Sequence, residues 1–468
     1  MSAPRPLASL AGPKGWPVLG NFPQIDFSRF HLQLEAWAEQ YGEIYRLSFG
    51  PRNLLVTADL GLAQELLKDR PERFGRQLNL ERIFDELGFN GLFSAEDDNW
   101  RRQRRIVITA LNSAHLHRSY DAMRDTTARL ERRWRRAAQT GEVLDIPREL
   151  MRYTVDITTQ LAFGIDFNTL ETDGHIIQDD LDSIFPMLTR RLAAPFPWWR
   201  LFHLPSDRVL DRSVSSVQAR IGEIIRDCRQ RLATHPERRA EPGNFLEAMI
   251  VAQESEQLPF SDRDILANVF TLLLAGEDTT ANTLAWAIKM FIDHPEAFQA
   301  VRAEVDARLG GDSIPPDYAS ANDFPLLEAF ANETMRLKPV APLNGFGVKA
   351  DTVLGGIALP AGSGVFLLTR RLATREAHFH EAESFRPQRW LLNHAPVSPH
   401  HTRAFVPFGG GPRYCPGRNL ALLEIKLVLA MACRNFEFSL AEPGLQVEEE
   451  FAFTMGPGNL LVKPALRQ

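Results

Sequence analysis

Phe405-Val-Pro-Phe-Gly-Gly-Gly-Pro-Arg-Tyr-Cys-Pro-Gly417 fits neither a helix nor a regular strand, because Gly409 to Gly411 and three prolines interrupt both. Such a run builds a shaped loop that delivers one side chain, Cys415, to a fixed place. Residues 418–436 then turn helical. Leu420, Leu423, Leu427 and Met431 share one face, and Ala421, Ile425, Val428 and Ala432 are apolar too, so this helix is expected to be buried nearly all round. A cysteine just ahead of a buried helix's N-terminus lies among unpaired N–H groups at the positive end of the dipole, which favours the thiolate. A held, dry thiolate is a metal ligand or a nucleophile.

The pattern Phe408-Gly-x-Gly-x-Arg413-x-Cys415-x-Gly417 resembles the cysteine-loop signature of the cytochrome P450 family. The resemblance implies that Cys415 is the axial thiolate of haem b, iron protoporphyrin IX. It implies that Gly409 and Gly417 let backbone approach the flat macrocycle, that Phe408 walls off the sulfur, and that Arg413 meets a propionate bidentately. A glycine-rich turn with Cys415 as a small buried residue is one competing reading. A phosphate loop is another, but no Gly-Lys-Ser/Thr follows.

The 468 residues allow two or three average domains. Apolar and charged shares of 44% and 24% are ordinary globular values, and a net charge of −6 argues against general nucleic-acid binding. Three cysteines, an odd number, point to a reducing compartment without a disulfide framework; Cys228 and Cys433 fall on apolar helix faces. The N-terminus has no signal-peptide core, and no stretch reaches the ~18 apolar residues of a spanning helix. The expectation is a cytoplasmic, bacterial-type monomer without a transmembrane anchor.

Trp100 and Arg104 stand four apart, on one helical face; the resemblance implies that they bind a propionate. Ser261-Asp-Arg-Asp264 reads as a helix start, and the pattern predicts a helix to about residue 293, roughly 45 Å long. Ala275-Gly-Glu-Asp278-Thr279-Thr280 sits in its middle. A mid-helix glycine costs about 1 kcal/mol against alanine. The expected reason is a local widening beside a ligand, with the Thr279 hydroxyl turned inward rather than onto its own backbone. The resemblance implies that Asp278 and Thr279, with Glu277 assisting, relay protons over the distal haem face; a polar break in a core helix is the alternative. Glu333 and Arg336 are an i, i+3 pair. With Arg389 of the Phe385-Arg-Pro-Gln-Arg-Trp390 run, they are implied to form a buried network beneath the cysteine loop. Many bacterial members have a propionate-binding arginine near Phe346, yet no arginine occurs from Pro339 to Thr369. Propionate binding is therefore expected to lean on Trp100, Arg104 and Arg413.

Elsewhere, helices are predicted over residues 31–41, 59–68, 150–163 and 214–232. Strands are predicted at 43–49 and 53–57 around Gly50-Pro51, at 347–352 and 365–369, and within 451–463. Between residues 74 and 98 the periodicity fails, although Leu78, Leu80, Ile83, Phe84, Leu87, Phe89, Leu92 and Phe93 crowd the segment. An apolar loop must cover something. The resemblance places it over the haem and nominates Phe84, Leu87, Phe89, Ala275, Val340, Leu343 and Met455 as the pocket of a sizeable apolar substrate. The aromatic runs at 184–188 and 196–202 would form its entrance. Arg101, Arg102, Arg105, Arg418 and Lys426 are candidates for docking an acidic electron donor.

Together these imply a mainly α cytochrome P450 fold with a smaller β-rich part, chiefly within 43–60 and 347–370. Residues 1–468 are expected to form one catalytic domain without a reductase domain. The implied reaction is monooxygenation of a small hydrophobic molecule by O2, either hydroxylation or epoxidation. Electrons come from a ferredoxin- or flavodoxin-type protein, and NAD(P)H acts only indirectly. A peroxide-driven peroxygenase and a haem-based gas sensor are the alternatives, and the intact Asp278-Thr279 pair speaks against both.

Overall fold

Tyr45 and Leu47 are buried while Arg46 and Ser48 are half-exposed, the period-two signature of a strand with one covered face. The computed structural model describes residues 3–50, 52–77, 79–172, 184, 186–188, 190–192, 194, 196–255, 260–391 and 398–467. In it, β1 (Ile44–Phe49) pairs antiparallel with β2 (Arg52–Thr57). They join β3 (Phe74–Arg76), β4 (Leu343–Val348) and β5 (Gly364–Leu368) in a five-stranded sheet of order β1-β2-β5-β4-β3. β5, buried at every residue, is its centre, parallel to β2 and antiparallel to β4. Strand-rich regions far apart in sequence thus form one sheet. The strand expected at 347–352 begins earlier, at Leu343, because Gly345 is no breaker there. A Cβ on Gly345 would lie 3.2 Å from the Phe366 ring, so the glycine marks a close approach. A short hairpin of β6 (Glu449–Phe451) and β7 (Met455–Pro457) lies near the C-terminus. Pro51 lies outside the described residues.

The rest is mostly helix: 56% of the described residues against 13% strand. In chain order the helices used below are α1 (Phe30–Tyr41), α2 (Leu60–Lys68), α3 (Leu80–Glu86), α4 (Asp97–Ala110), α5 (Tyr120–Thr140) and α6 (Ile146–Phe163). Then come α7 (Pro205–Thr234), α8 (Phe245–Ser255), α9 (Asp262–Asp293), α10 (Pro295–Leu309), α11 (Pro325–Leu337) and α12 (Arg418–Asn435). Helix α3 corrects the expectation of an irregular apolar loop. Its seven residues span only two turns, too few for a period to show, and they bury Leu80, Ile83 and Phe84. Leu78 lies outside the described residues. Helix α7 starts well before the expected position 214, because Pro205 fits a first turn and the Leu204 N–H donates to Asp207 at 3.0 Å.

Helix α9 is the axle. Ser261 and Asp264 form a reciprocal capping box, the carboxylate taking the Ser261 N–H at 2.8 Å and the hydroxyl taking the Asp264 N–H at 3.2 Å. Its C-terminal half packs with α5, α6, α10, α11 and α12 in one core around Trp134, Trp286, Phe291 and Met431. Its N-terminal half packs with α3, α7 and α8, where Phe89 stacks on Phe270 at 3.6 Å between ring centroids. Helix α12 is buried nearly all round, as its apolar pattern requires. Of the two aromatic runs ahead of α7, Ile184 and Leu188 are fully buried, whereas Phe196, Leu201 and Phe202 are exposed; Phe185 lies outside the described residues. No helix among the described residues is long and apolar enough to cross a membrane.

Candidate active site

The loop ahead of α12 is held by its own backbone. The Cys415 N–H donates to the Phe408 carbonyl at 2.9 Å, and that of Gly409 to Val406 at 2.9 Å. Gly409 and Gly411 have φ of +72° and +65°, and a Cβ on Gly411 would lie 2.0 Å from the Leu67 carbonyl oxygen. Only glycine fits that approach to α2. Burial pushes the Cys415 thiol up, against the N–H groups of Gly417 and Arg418 and the charges of Arg104 and Arg76. Without a bound cation, burial thus works against the thiolate that the helix start favours. Desolvation outweighs the dipole, and a bound cation is what would deprotonate the sulfur.

Around this sulfur four arginines converge, from four separate segments. Arg104 of α4 lies over the Tyr414 ring at 4.8 Å, and Arg413 over Trp100 at 4.7 Å. Arg413 also pairs with Glu96 at 3.1 Å and donates to the Ala95 carbonyl. Arg70, in the turn after α2, lies over Phe346 at 4.7 Å, and Arg76 of β3 lies over Phe93 at 4.4 Å. Arg70, Arg104 and Arg413 are 5–8% exposed, and each of the four keeps at least one buried guanidinium nitrogen without a hydrogen-bond partner. Burial lowers their proton affinity, with repulsion from neighbouring arginines adding to it at Arg70, Arg76 and Arg413; Arg70 falls to about 9 and Arg76 well below the usual guanidinium range. Buried, unpaired cations cost several kcal/mol each unless anions meet them. Glu96 is the carboxylate in direct contact. A flat metal macrocycle with carboxylates on its edge and a thiolate beneath it fits this donor set.

Arg70 and Arg76 carry no signal in the sequence. Asp69-Arg-Pro-Glu reads as a polar surface turn, and one arginine in a three-residue strand has nothing to mark it. Arg70 comes in from another segment and lies on Phe346 of β4, the strand that lacks an arginine of its own.

In the middle of α9, Ala275 is exposed and Gly276, Asp278 and Thr279 are half-buried, although the helix around them is covered. Two expectations are corrected here. The helix is continuous and unwidened. Gly276 is required instead by α6, since a Cβ there would lie 2.9 Å from the Thr158 hydroxyl. The Thr279 hydroxyl donates to its own backbone, to the Ala275 carbonyl at 2.7 Å, because that acceptor is always within reach one turn back. Glu277 is buried, with its carbonyl accepting from the Thr154 hydroxyl at 3.0 Å.

Below the loop, Glu333 and Arg336 are both 0% exposed. Glu333 accepts from Arg336 Nη2 and Nε at 2.8 and 2.9 Å, Arg389 Nε at 3.0 Å, Trp390 Nε1 at 2.9 Å and the Arg386 N–H at 2.8 Å. Trp390 in turn packs on Phe405, the first residue of the cysteine loop, with centroids 4.6 Å apart.

Of the nominated pocket residues, Ala275, Val340 and Leu343 keep accessible surface. Phe84, Leu87, Phe89 and Met455 do not: the first three sit in the core between α3, α7 and α9, and Met455 is 0% exposed beneath α9. Apolar side chains in that segment found a better partner in the neighbouring helices than in a cavity. Phe93, half-buried, is the accessible aromatic there. Among the docking candidates, Lys426 is corrected to a buried residue bonded to Asn322 and Glu328. Arg101 pairs with Asp98 and Glu72, and Arg102 with Asp264.

Comparison with known proteins agrees with this geometry. The cytochrome P450 family model matches residues 10–464. Over 467 residues the chain is 31% identical to the mitochondrial 25-hydroxyvitamin D-1 alpha hydroxylase of Homo sapiens, covering 95% of this chain and 89% of that protein. It is 26% identical over 445 residues to the chloroplastic protein LUTEIN DEFICIENT 5 of Arabidopsis thaliana, covering 92% of this chain and 73% of that one. It is 28% identical over 473 residues to the bifunctional cytochrome P450/NADPH–P450 reductase 2 of Bacillus subtilis (strain 168), covering 98% of this chain but 43% of that protein.

Proposed function

The chain belongs to the cytochrome P450 family, which makes it a haem-thiolate monooxygenase, and on that premise we propose that it oxygenates a sizeable apolar molecule by hydroxylation or epoxidation. When bound, the haem supplies the oxygen-activating chemistry. Cys415 would hold the iron, Phe408 would wall off the sulfur, and Gly409 and Gly417 would let backbone approach the macrocycle. Trp100, Arg104 and Arg413 hold the haem carboxylates together with Arg70 and Arg76. Asp278 and Thr279 hold and pass protons on the opposite side, and Glu333, Arg336 and Arg389 lock the support beneath. Electrons arrive from a ferredoxin- or flavodoxin-type protein. The free, buried Cys228 and Cys433 support a reducing compartment such as the cytoplasm.

The observation that carries the substrate class is the small exposed Ala275 in a covered helix, with Phe93, Val340 and Leu343 among the accessible apolar side chains. A pocket so lined orients ligands by shape and few polar groups. A relative named as a 25-hydroxyvitamin D hydroxylase is consistent with that class. Titrating fatty acids, terpenes, steroids and small phenols against the low-to-high-spin shift of the haem spectrum tests it. Tight shifts are expected with the larger apolar compounds, which should then yield oxygenated product with NADPH, a reductase and ferredoxin. Shifts confined to small polar phenols would overturn the substrate class.

The arginine cluster makes a separate prediction. Arg70→Ala removes a charge-assisted hydrogen bond worth about 1.5–3 kcal/mol, so haem transfer to excess apomyoglobin should be roughly ten- to hundredfold faster. An unchanged transfer rate would assign Arg70 to some other anion.

A further inference from the structure

Asp278 does not stand free on the accessible face of α9. Its Oδ1 accepts from Asn282 Nδ2 at 2.8 Å, one turn along the helix, and its Oδ2 accepts from the hydroxyl of Thr454. Asn282 Nδ2 also reaches the Thr454 hydroxyl at 3.1 Å, closing a triangle. Thr454 comes from the tip of the β6–β7 hairpin, far away in sequence, and is 8% exposed.

The hairpin is seated on α9 by contacts that leave little room. A Cβ on Gly456 would lie 2.4 Å from Asn282 Oδ1, and Trp286 Nε1 donates to the Met455 carbonyl at 3.3 Å. The Met455 N–H donates to the Val340 carbonyl at 2.8 Å, which ties the hairpin to a segment with accessible apolar surface. Phe453, next to Thr454, meets the Phe93 ring at 5.7 Å. The base of the hairpin is clamped, since Glu449 binds His31, Lys338 and Arg370. A fixed base and a tip between Phe93 and Asp278 make the tip the part that an occupant of the pocket would press on.

We propose that Thr454, with Asn282, is a positioning residue for proton delivery: it orients the Asp278 carboxyl, and the hairpin tip links that orientation to what fills the pocket. The inference rests on the assignment of Asp278 to proton delivery made above. Neither Thr454 nor Asn282 touches the reacting atoms; both act through the carboxyl.

The electrostatics agree with the geometry. Burial raises the Asp278 pKa, and the Thr454 and Asn282 donors pull it back. The titratable groups on elements packed against this part of α9 are committed elsewhere. Asp156 of α6 takes the N–H groups of Thr169 and Leu170, and Glu424 of α12 faces Thr280. Lys338, after α11, binds Glu449, and Arg370 binds Glu35 and Glu449. Glu277, the preceding residue, is buried. Removing one donor from an otherwise uncompensated carboxylate raises its proton affinity further.

The test compares Thr454→Val, which keeps the shape and loses the hydroxyl, with Thr454→Ser and Asp278→Asn in the haem-loaded protein. The substrate is whichever apolar compound gives the spin shift. Thr454→Val should keep haem and substrate spectra but lower product formed per NADPH by about tenfold, the worth of one hydrogen bond to a charged group. The pH midpoint of coupled turnover should move to higher pH. Thr454→Ser should restore both, and Thr454→Val combined with Asp278→Asn should lose no more than Asp278→Asn alone. Should Thr454→Val fail to load haem, Asn282→Ala, which removes the other donor, carries the same expectations. If Asp278→Asn changes coupling and pH midpoint while the donor variant changes neither, the inference is overturned and the relay stands. If Asp278→Asn itself changes neither, the relay assignment falls and takes the inference with it.

Discussion

A Cys415→Ser protein is expected to lose the strongly red-shifted Soret band of its ferrous carbon monoxide complex, and product formation should fall to assay background. The loop that presents residue 415 is held by backbone, through the 2.9 Å bond from its N–H to Phe408 and the close passage of Gly411 over Leu67. Serine therefore keeps the shape and changes one atom. A hydroxyl at that place is a far weaker acid than a thiol and does not supply the electron density of a thiolate ligand. Cys228→Ser and Cys433→Ser are the controls, because both side chains are buried and neither belongs to the loop. They are expected to retain the band. If the unaltered protein itself lacks the red-shifted band, thiolate ligation by Cys415 is wrong.

The second large effect is on stability. In Glu333→Ala, two buried guanidiniums, an indole N–H and a backbone N–H lose their common acceptor at one stroke. Removing one partner of a buried ion pair typically costs about 3–5 kcal/mol, because the charge left behind has neither water nor counter-ion. Against a usual total of about 5–15 kcal/mol, that is about a fifth or more of the fold's margin. Glu333→Gln keeps the volume but not the charge, and should recover only part of the loss. Arg389→Lys keeps a cation near Glu333 and should cost less than either. Since Trp390 joins Glu333 to Phe405, the Glu333 variants should also yield less haem-loaded protein. Denaturant unfolding of the haem-loaded forms is the measurement. A Glu333→Ala protein within about 1 kcal/mol of the unaltered one would show that the network holds nothing together.

Residues close along the chain are legible in the sequence itself. Cys415 between a glycine-rich loop and an apolar helix, Trp100 and Arg104 on one face, Glu333 and Arg336 one turn apart, and the capping box that starts α9 are all set by local backbone geometry. A helix puts residues three and four apart side by side wherever it lies. Even there local geometry decided the wrong way for Thr279, whose nearest acceptor is its own helix. Gly276 is legible as a glycine with a reason, yet the reason, the passing Thr158, is on another helix.

What brings distant segments together was decided only by packing. Arg70 and Arg76 join the arginine cluster because the turn after α2 and strand β3 arrive beside Glu96 and the cysteine loop. Phe84, Phe89 and Met455 read as pocket residues, but burial is won by whichever apolar surface is nearest, and here that surface is the core. Lys426 reads as a surface cation until Glu328 and Asn322 close over it. Thr454 carries no motif at all, and it meets Asp278 only because a hairpin near the C-terminus seats its tip on α9. By itself the sequence determined the family's chemistry, because a ligand, its loop and its helix are neighbours along the chain. The tertiary structure alone decided which charges face that chemistry, because a charge acts through space, whatever its place in the chain.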